Sequence, residues 1–411
     1  MVITALAGLG LLVWLYLSLA HGGFWRADQR LTPRPGARPT RWPTVVAVIP
    51  ARDEEDSLEA VLKSHLASGY AGAFHIVLVD DHSTDRTGAI AQDLAAGAPD
   101  RLCVTTPPDL PQGWTGKLWA VQHGLERASM VAPDAKYVLL TDADIVHATD
   151  TLEKLVCKAQ GEGRALVSLM ARLDARGFWG GLLIPAFVYF FQKLYPFAWS
   201  NRPPDAPIHD PIERRLDVAA AAGGCMLVRA DRLDALDGVA GLRDALIDDC
   251  TLARQIRGTP AKHAIWLGLA DREVQSLRDN RRLGSIWTMV ARTAYAQLGY
   301  APWALAGALA GMALTYLAGP LAVLLWPWHG EEAAALLGGL AWIVMARTFV
   351  PTARLYGQSP WLGFALPLSA ALYTTMTLDS ALRHWRGQGG QWKGRTYPQP
   401  DPAGSNQSAS P

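Results

Sequence analysis

Val2 to Ala20 is a run of 19 residues without a charge, long enough to cross a bilayer as one helix. A cleaved leader has a basic start and a shorter apolar core; cleavage near Ala20 is the alternative reading. From Thr44 the pattern changes to short apolar runs separated by amphipathic stretches. Thr44–Ile49 reads as a buried strand, and Asp56 or Ser57 as the cap of a helix to about Ser68. His75–Val79 is a second strand, followed by a helix from Ser83-Thr84-Asp85 to Ala96. Leu102–Thr105 is a third strand, Leu118 to about Met130 a helix, and Tyr137–Leu140 a fourth strand. This alternation predicts a parallel sheet with helices on both faces. Leu166–Ala171 is a further candidate strand, and Asp217–Arg229 holds an apolar stretch with a paired glycine.

Three later segments are again apolar enough for a membrane: Ala301–Trp326, Ala333–Val350 with Arg347 as its one charge, and Pro360–Leu378. Phe178–Trp199 has Lys193 as its only charge but is interrupted by Pro185 and Pro196. It reads as a segment lying on the membrane face, with a buried core segment as the alternative. After the first span come Arg26, Arg30, Arg34, Arg38 and Arg41 against the single acid Asp28, which places that flank in the cytoplasm. Pro33, Pro35, Pro39 and Pro43 make it an extended linker. Arg383, Arg386, Lys393 and Arg395 predict a cytoplasmic end as well. Three full C-terminal spans would leave that end outside, so one segment is interfacial or re-entrant, or Gly319-Pro320 divides a helical hairpin. The organisation expected is an anchor over 1–22, a basic linker over 23–43, an α/β domain over 44–299, membrane segments over 300–382 and a partly disordered tail over 383–411. Asn406-Gln407-Ser408 in that tail fits a glycosylation sequon by chance.

Composition narrows the class. Of 411 residues, 50% are hydrophobic and 18% charged, which is apolar for a soluble enzyme. A net charge of +1 gives no reason to expect nucleic acid as a partner. Cys103, Cys157, Cys225 and Cys250 form no CxxC pair, so neither a zinc site nor a disulfide framework is expected.

The candidate chemistry lies where strands end. Asp53 follows the first strand, Asp80-Asp81 the second, and Asp142 and Asp144 the fourth. In an open α/β sheet those ends share one edge, where ligands bind. Carboxylates gathered there call for a cation, a base ring with N–H donors, or both. Asp142 and Asp144, one residue apart, can share a hard divalent ion, Mg²⁺ or Mn²⁺, with a substrate diphosphate. The alternative is a strand end capped by solvated aspartates.

VIPARDEE, VDDHSTDRT, LLTDADI and IDDCTLARQI, in this order over about residues 44–295, resemble the motifs of family 2 glycosyltransferases. The resemblance implies a Rossmann-like GT-A domain with N- and C-terminal transmembrane helices. It implies that Pro50, Ala51, Asp53 and Glu54 form the first nucleotide-binding loop and that Asp81, or its neighbour Asp80, meets uracil or ribose. Asp142 and Asp144 then match the DxD motif for metal and donor diphosphate. Lys117 in GWTGKLWA matches a basic residue near the phosphates, with a solvated lysine at a helix start as the alternative; Leu118 rules out a P-loop. Asp249 matches the general base of the ED motif, with Asp248 in place of the usual glutamate. The QxxRW motif is reduced to Met289-Val290-Ala291-Arg292-Thr293, which keeps Arg292 for the diphosphate and favours single-sugar transfer over polymer synthesis. The anchor, VARTAYAQL and WKGRTY are similar to a narrower group, the membrane glycosyltransferases associated with hopanoid biosynthesis.

The expected activity is an inverting, metal-dependent transfer of one sugar from a UDP-sugar to a membrane lipid acceptor such as a hopanoid. It would take place at the inner (plasma) membrane, with the chain multi-pass and its catalytic domain cytoplasmic. Transfer to polyisoprenyl phosphate and a nucleotide-sensing transport subunit are the rivals; few polar residues at membrane depth weigh against transport.

Overall fold

The structure is a computed structural model that describes residues 1–32, 38–203, 218–243, 248–258, 264–387, 391–392 and 395–396. Pro33 to Pro35 of the linker, Asp217, Lys393 and the tail from 397 with its sequon lie outside the described residues.

Seven strands form the main sheet: β1 (Val45–Ala51), β2 (Phe74–Asp80), β3 (Leu102–Thr105), β4 (Tyr137–Thr141), β6 (Arg164–Met170), β7 (Cys225–Arg229) and β8 (Ala264–Leu269). Their order is β3-β2-β1-β4-β7-β6-β8. The expected strands are present, but the all-parallel sheet needs correcting. β7 runs antiparallel to both β4 and β6, while the other neighbours are parallel. A reversed strand enters the sheet from the edge at which its neighbours end. The Gly223-Gly224 turn before β7 therefore sits at the carboxyl edge, where the Thr141 hydroxyl donates to the Gly224 carbonyl at 2.7 Å. A second, two-stranded sheet pairs β5 (Ile145–His147) with β9 (Val274–Ser276).

β1 is buried along its whole length because the sheet is covered on both faces. One face carries α2 (Leu58–Leu66), α3 (Thr87–Gly97) and α5 (Thr151–Gly161); the other carries α4 (Gly116–Val131). Gly124 lets α4 lie close to the sheet, since a Cβ there would collide with the Val48 side chain. That close approach fixes the α4 N-terminus, capped by Thr115, over the end of β1. The linker is more than a spacer. Phe24 and Leu31 are buried, and the Gln29 carbonyl accepts from Leu269 N at 2.8 Å, so Arg30 bridges the β8 edge.

Among the described residues, four helices are long and apolar enough to cross a membrane: Val2–Leu19 (α1), Pro302–Leu324, Glu332–Leu355 and Pro360–Trp385. Between the sheet and these lie α6 (Gly177–Leu194) and α8 (Leu283–Gln297), whereas α7 (Asp248–Gly258) packs on the sheet with α4 through Leu252, Ala253 and Ile256. The Pro302–Leu324 helix, α9, contains a π-turn at Ala313–Leu317 just before Pro320. Proline lacks the N–H and crowds the carbonyl four residues earlier, which forces such a turn. Trp14 of α1 donates to the Thr315 carbonyl at 2.6 Å. α1 and α10 (Glu332–Leu355) start together, with the Met1 amine 2.7 Å from Glu331. α9 and α10 touch through Gly319 and Gly338, small residues that let backbones approach without help from water.

α6 runs unbroken through Pro185, and most of its side chains are buried. The last long helix, α11 (Leu366–Trp385), packs like α6 rather than like α9 or α10. Ser369 and Tyr373 donate to the Leu182 and Leu183 carbonyls of α6 at 3.1 and 2.9 Å. Further along, Asp379 accepts from Trp287 at 2.7 Å and Ser380 from Tyr295 N at 3.0 Å, both on α8. α11 therefore follows the two helices beneath the α/β domain over its length, the packing expected of an interfacial segment, while its length and composition also suit a span. Cysteines at Asp93, Trp328 and Arg386, in a background without the native cysteines, test this with an impermeant thiol reagent on intact cells. The Asp93 and Arg386 sites should be shielded and the Trp328 site labelled; Arg386 labelling together with Trp328 would make α11 a span.

Candidate active site

A cavity of about 300 Å³ opens at the carboxyl edge of the sheet. β1 brings Pro50 and then Glu54 to it, β4 brings Asp142 and Asp144, α4 brings Lys117, and α7 brings Asp249. Arg292 enters from α8. The chain segments that converge here are far apart in sequence, so the sheet alone makes them neighbours.

Each charged group is held. Lys117 Nζ lies 3.0 Å from Asp142 Oδ1. The Asp144 carboxylate is 9% exposed; it accepts from the Ser276 hydroxyl at 3.1 Å and faces Arg278 Nε at 3.5 Å. Burial, with Asp142 adding repulsion, pushes the Asp144 carboxyl above its usual range. Asp249 sits in the first turn of α7, where Gly223 N donates to Oδ2 at 2.9 Å and Cys250 N to Oδ1 at 2.7 Å. The Arg292 Nε is buried without a hydrogen-bond partner among the described residues. The Asp248 side chain and residues 244–247 lie outside the described residues.

Other expected site residues stand back from the cavity. Ala51 is buried in β1, its carbonyl accepting from Asp81 N at 2.8 Å. Asp81 is 1% exposed, with Arg52 donating to its carbonyl and reaching its carboxylate at 3.4 Å. Asp80 accepts from Ser83 N at 3.1 Å. Asp53 has a left-handed backbone, φ +50°, and its carboxylate accepts from Thr84 N at 2.8 Å. Asp53 and Asp81 thus tie the β1 and β2 loops together, and Asp80 closes the β2 loop on itself. Arg52 and Glu54 reach the cavity from that side.

Sequence reasoning did not single out Ser276, Arg278 or Asn280. They lie more than a hundred residues after Asp144 and carry no motif. Only the β5–β9 pairing, Ile145 opposite Ser276, brings them in.

The residues present fit a divalent cation with a diphosphate. Two carboxylates lie one residue apart, one of them destabilised by burial, and unpaired cationic capacity faces them from Arg292. No three-ligand His, Cys, Asp and Glu cluster exists among the described residues, so a cation here needs substrate oxygens as well.

Residues 46–231 match the model of glycosyl transferase family 2. Over that stretch, a little under half of its length, the chain is similar to family 2 glycosyltransferases. A mannosyltransferase from Pyrobaculum calidifontis, solved in complex with GDP-Man and Mn²⁺, superposes with a TM-score of 0.57 at 19% identity, covering 91% of this chain and 99% of its own. That likeness shows the GT-A-like fold. A polyprenol monophosphomannose synthase of Mycolicibacterium smegmatis is 32% identical over 120 residues, 29% of this chain. The match spans 41% of the length of that relative.

Asp144→Asn separates binding from folding. With its native pKa raised, ionised Asp144 costs stability at any pH above both its unfolded and folded values. The neutral variant, free of metal at pH 7, should melt at the parent temperature or above it, while Mn²⁺-dependent binding of a nucleoside diphosphate is lost. A large fall in melting temperature would mean that Asp144 is structural.

Proposed function

We propose that this glycosyltransferase moves one sugar from a nucleoside diphosphate sugar to a lipid acceptor at the membrane face, with inversion. One observation carries the reading: the cavity is two-sided. Charged groups from the sheet edge line it on one hand, and Leu173, Phe187, Phe191 and Met289 on the other, the last three from α6 and α8. Both helices pack into the same core as Trp14, Tyr316 and Phe349 of the membrane helices. An apolar tail can follow that wall while its head group meets the charges. A donor that stays in water does not need such a wall.

The assignment of roles follows the chemistry. Asp249, oriented by two backbone N–H groups, accepts the acceptor hydroxyl's proton as its oxygen attacks the anomeric carbon and the nucleoside diphosphate leaves. Lys117 and Arg292 stabilise the charge that develops on the leaving group. Asp142 and Asp144 would hold Mg²⁺ or Mn²⁺, which when bound would supply further neutralisation of the diphosphate. Pro50, Glu54 and the Asp53–Asp80–Asp81 knot shape the nucleotide pocket. The short apolar wall and the lost Gln and Trp of QxxRW support transfer of one sugar.

UDP-sugars are the first donors to test, with GDP-mannose as the counter because the solved mannosyltransferase holds it. A hopanoid-type hydroxyl is the acceptor favoured by the motif resemblance. A polyisoprenyl phosphate is the second reading, favoured by the similarity to the polyprenol monophosphomannose synthase. The two differ at Asp249, since a phosphate oxygen attacks without a base.

Purified full chain with radiolabelled donors and a lipid extract should give lipid-linked label that EDTA abolishes; full activity in excess chelator would remove the metal. Asp249→Asn should leave donor binding near parent and lower kcat about 10²–10⁴-fold. That is roughly 3–5 kcal/mol at 1.36 kcal/mol per factor of ten. Near-parent kcat for the variant would exclude Asp249 as base and favour the phosphate acceptor.

A further inference from the structure

We propose that Asn280 is a specificity-determining residue that hydrogen-bonds hydroxyl groups of the transferred sugar. The inference rests on the glycosyl transfer proposed above and goes beyond it by naming what reads the sugar.

Asn280 is fully buried, yet it lines the cavity, and both its Nδ2 and its Oδ1 lack a hydrogen-bond partner among the described residues. Buried amides are nearly always satisfied, because an unpaired one has lost its water for nothing. The Asn280 backbone is also packed against a helix. The α6 backbone approaches so closely that a Cβ on Gly180 would lie 3.1 Å from the Asn280 carbonyl oxygen. Two residues earlier, Arg278 is bound at the Asp144 carboxylate, which puts Asn280 on the donor side of the cavity.

The chemistry of the amide narrows what completes it. It offers two donors and one acceptor side by side. A phosphate is only an acceptor and would leave Oδ1 unpaired. A lipid chain would leave both atoms unpaired, and a divalent cation would leave the NH₂ so. A sugar hydroxyl both donates and accepts, and two neighbouring hydroxyls satisfy the whole group. A site built to bond a hydroxyl discriminates strongly against an analogue that lacks it.

The experiment compares parent and Asn280→Ala with the donor the parent uses, its epimers and its deoxy analogues. The variant should lose about 10–100-fold in kcat/KM with the preferred donor. It should lose little with one deoxy sugar, the one lacking the contacted hydroxyl, so that the preference collapses at a single position. Inhibition by the free nucleoside diphosphate, UDP or GDP, should stay within about twofold, since Asn280 touches only the sugar. Equal loss with every donor, or weaker inhibition by the nucleoside diphosphate, would overturn the proposal. If Asn280→Ala does not fold, Asn280→Asp keeps the shape but removes the donors and is read in the same way. If the parent transfers no sugar to any lipid, the transfer reading fails by itself. Asn280 is then judged by melting temperature with UDP-glucose, UDP-galactose and GDP-mannose: a parent preference among the sugars that the variant loses supports it, and no such preference overturns it.

Discussion

The site depends on keeping like charges together at one sheet edge. Asp142 and Asp144 stand one residue apart, and Asp144 is almost out of water, so its ionised form is costly. Everything around it offsets that cost in part. Lys117 meets Asp142, Arg278 and Ser276 meet Asp144, and Arg292 faces the same space. The compensation is incomplete by design of the arrangement: a cation with a diphosphate would complete it. A stability-optimised protein would have no reason to retain an acid in that position.

The same constraint explains the reversed strand. A parallel β7 would have delivered its preceding loop to the far edge of the sheet. Running antiparallel, it delivers Gly223-Gly224 beside Thr141, and Gly223 N then holds Asp249. The small sheet β5–β9 acts in the same way for Ser276, Arg278 and Asn280. Thus the reversed strand β7 and the small sheet β5–β9 bring Asp249 and the Ser276–Asn280 stretch to the cavity.

The membrane helices serve the site rather than only anchoring it. α6 and α8 lie between the sheet and the spans, and α11 packs along both. Their apolar side chains reach the cavity from below, where Phe187, Phe191 and Met289 meet the charged end. In the proposed transfer this is the physical link between a water-soluble donor and a lipid acceptor. The exposed Trp303, Trp361 and Trp385 at the ends of these helices fit the water–membrane boundary, where an amphipathic ring is at lowest energy.

What the sequence by itself determined is what depends on local pattern. The runs Thr44–Ile49, His75–Val79 and Tyr137–Leu140 could bury themselves only as sheet strands, and acids at their ends had to share an edge. The uncharged 19-residue start is long and apolar enough for a helix that crosses a bilayer. Strand direction is another matter: nothing in CMLVR distinguishes a parallel neighbour from an antiparallel one, because both bury the same side chains. The same holds for Asn280 and Arg278, whose partners lie far away along the chain and are chosen by sheet register alone. Composition makes Pro360–Trp385 as apolar as a span, and only its hydrogen bonds to α6 and α8 decide that it lies along them. Local periodicity fixes which groups must leave water; the tertiary structure decides which of them meet.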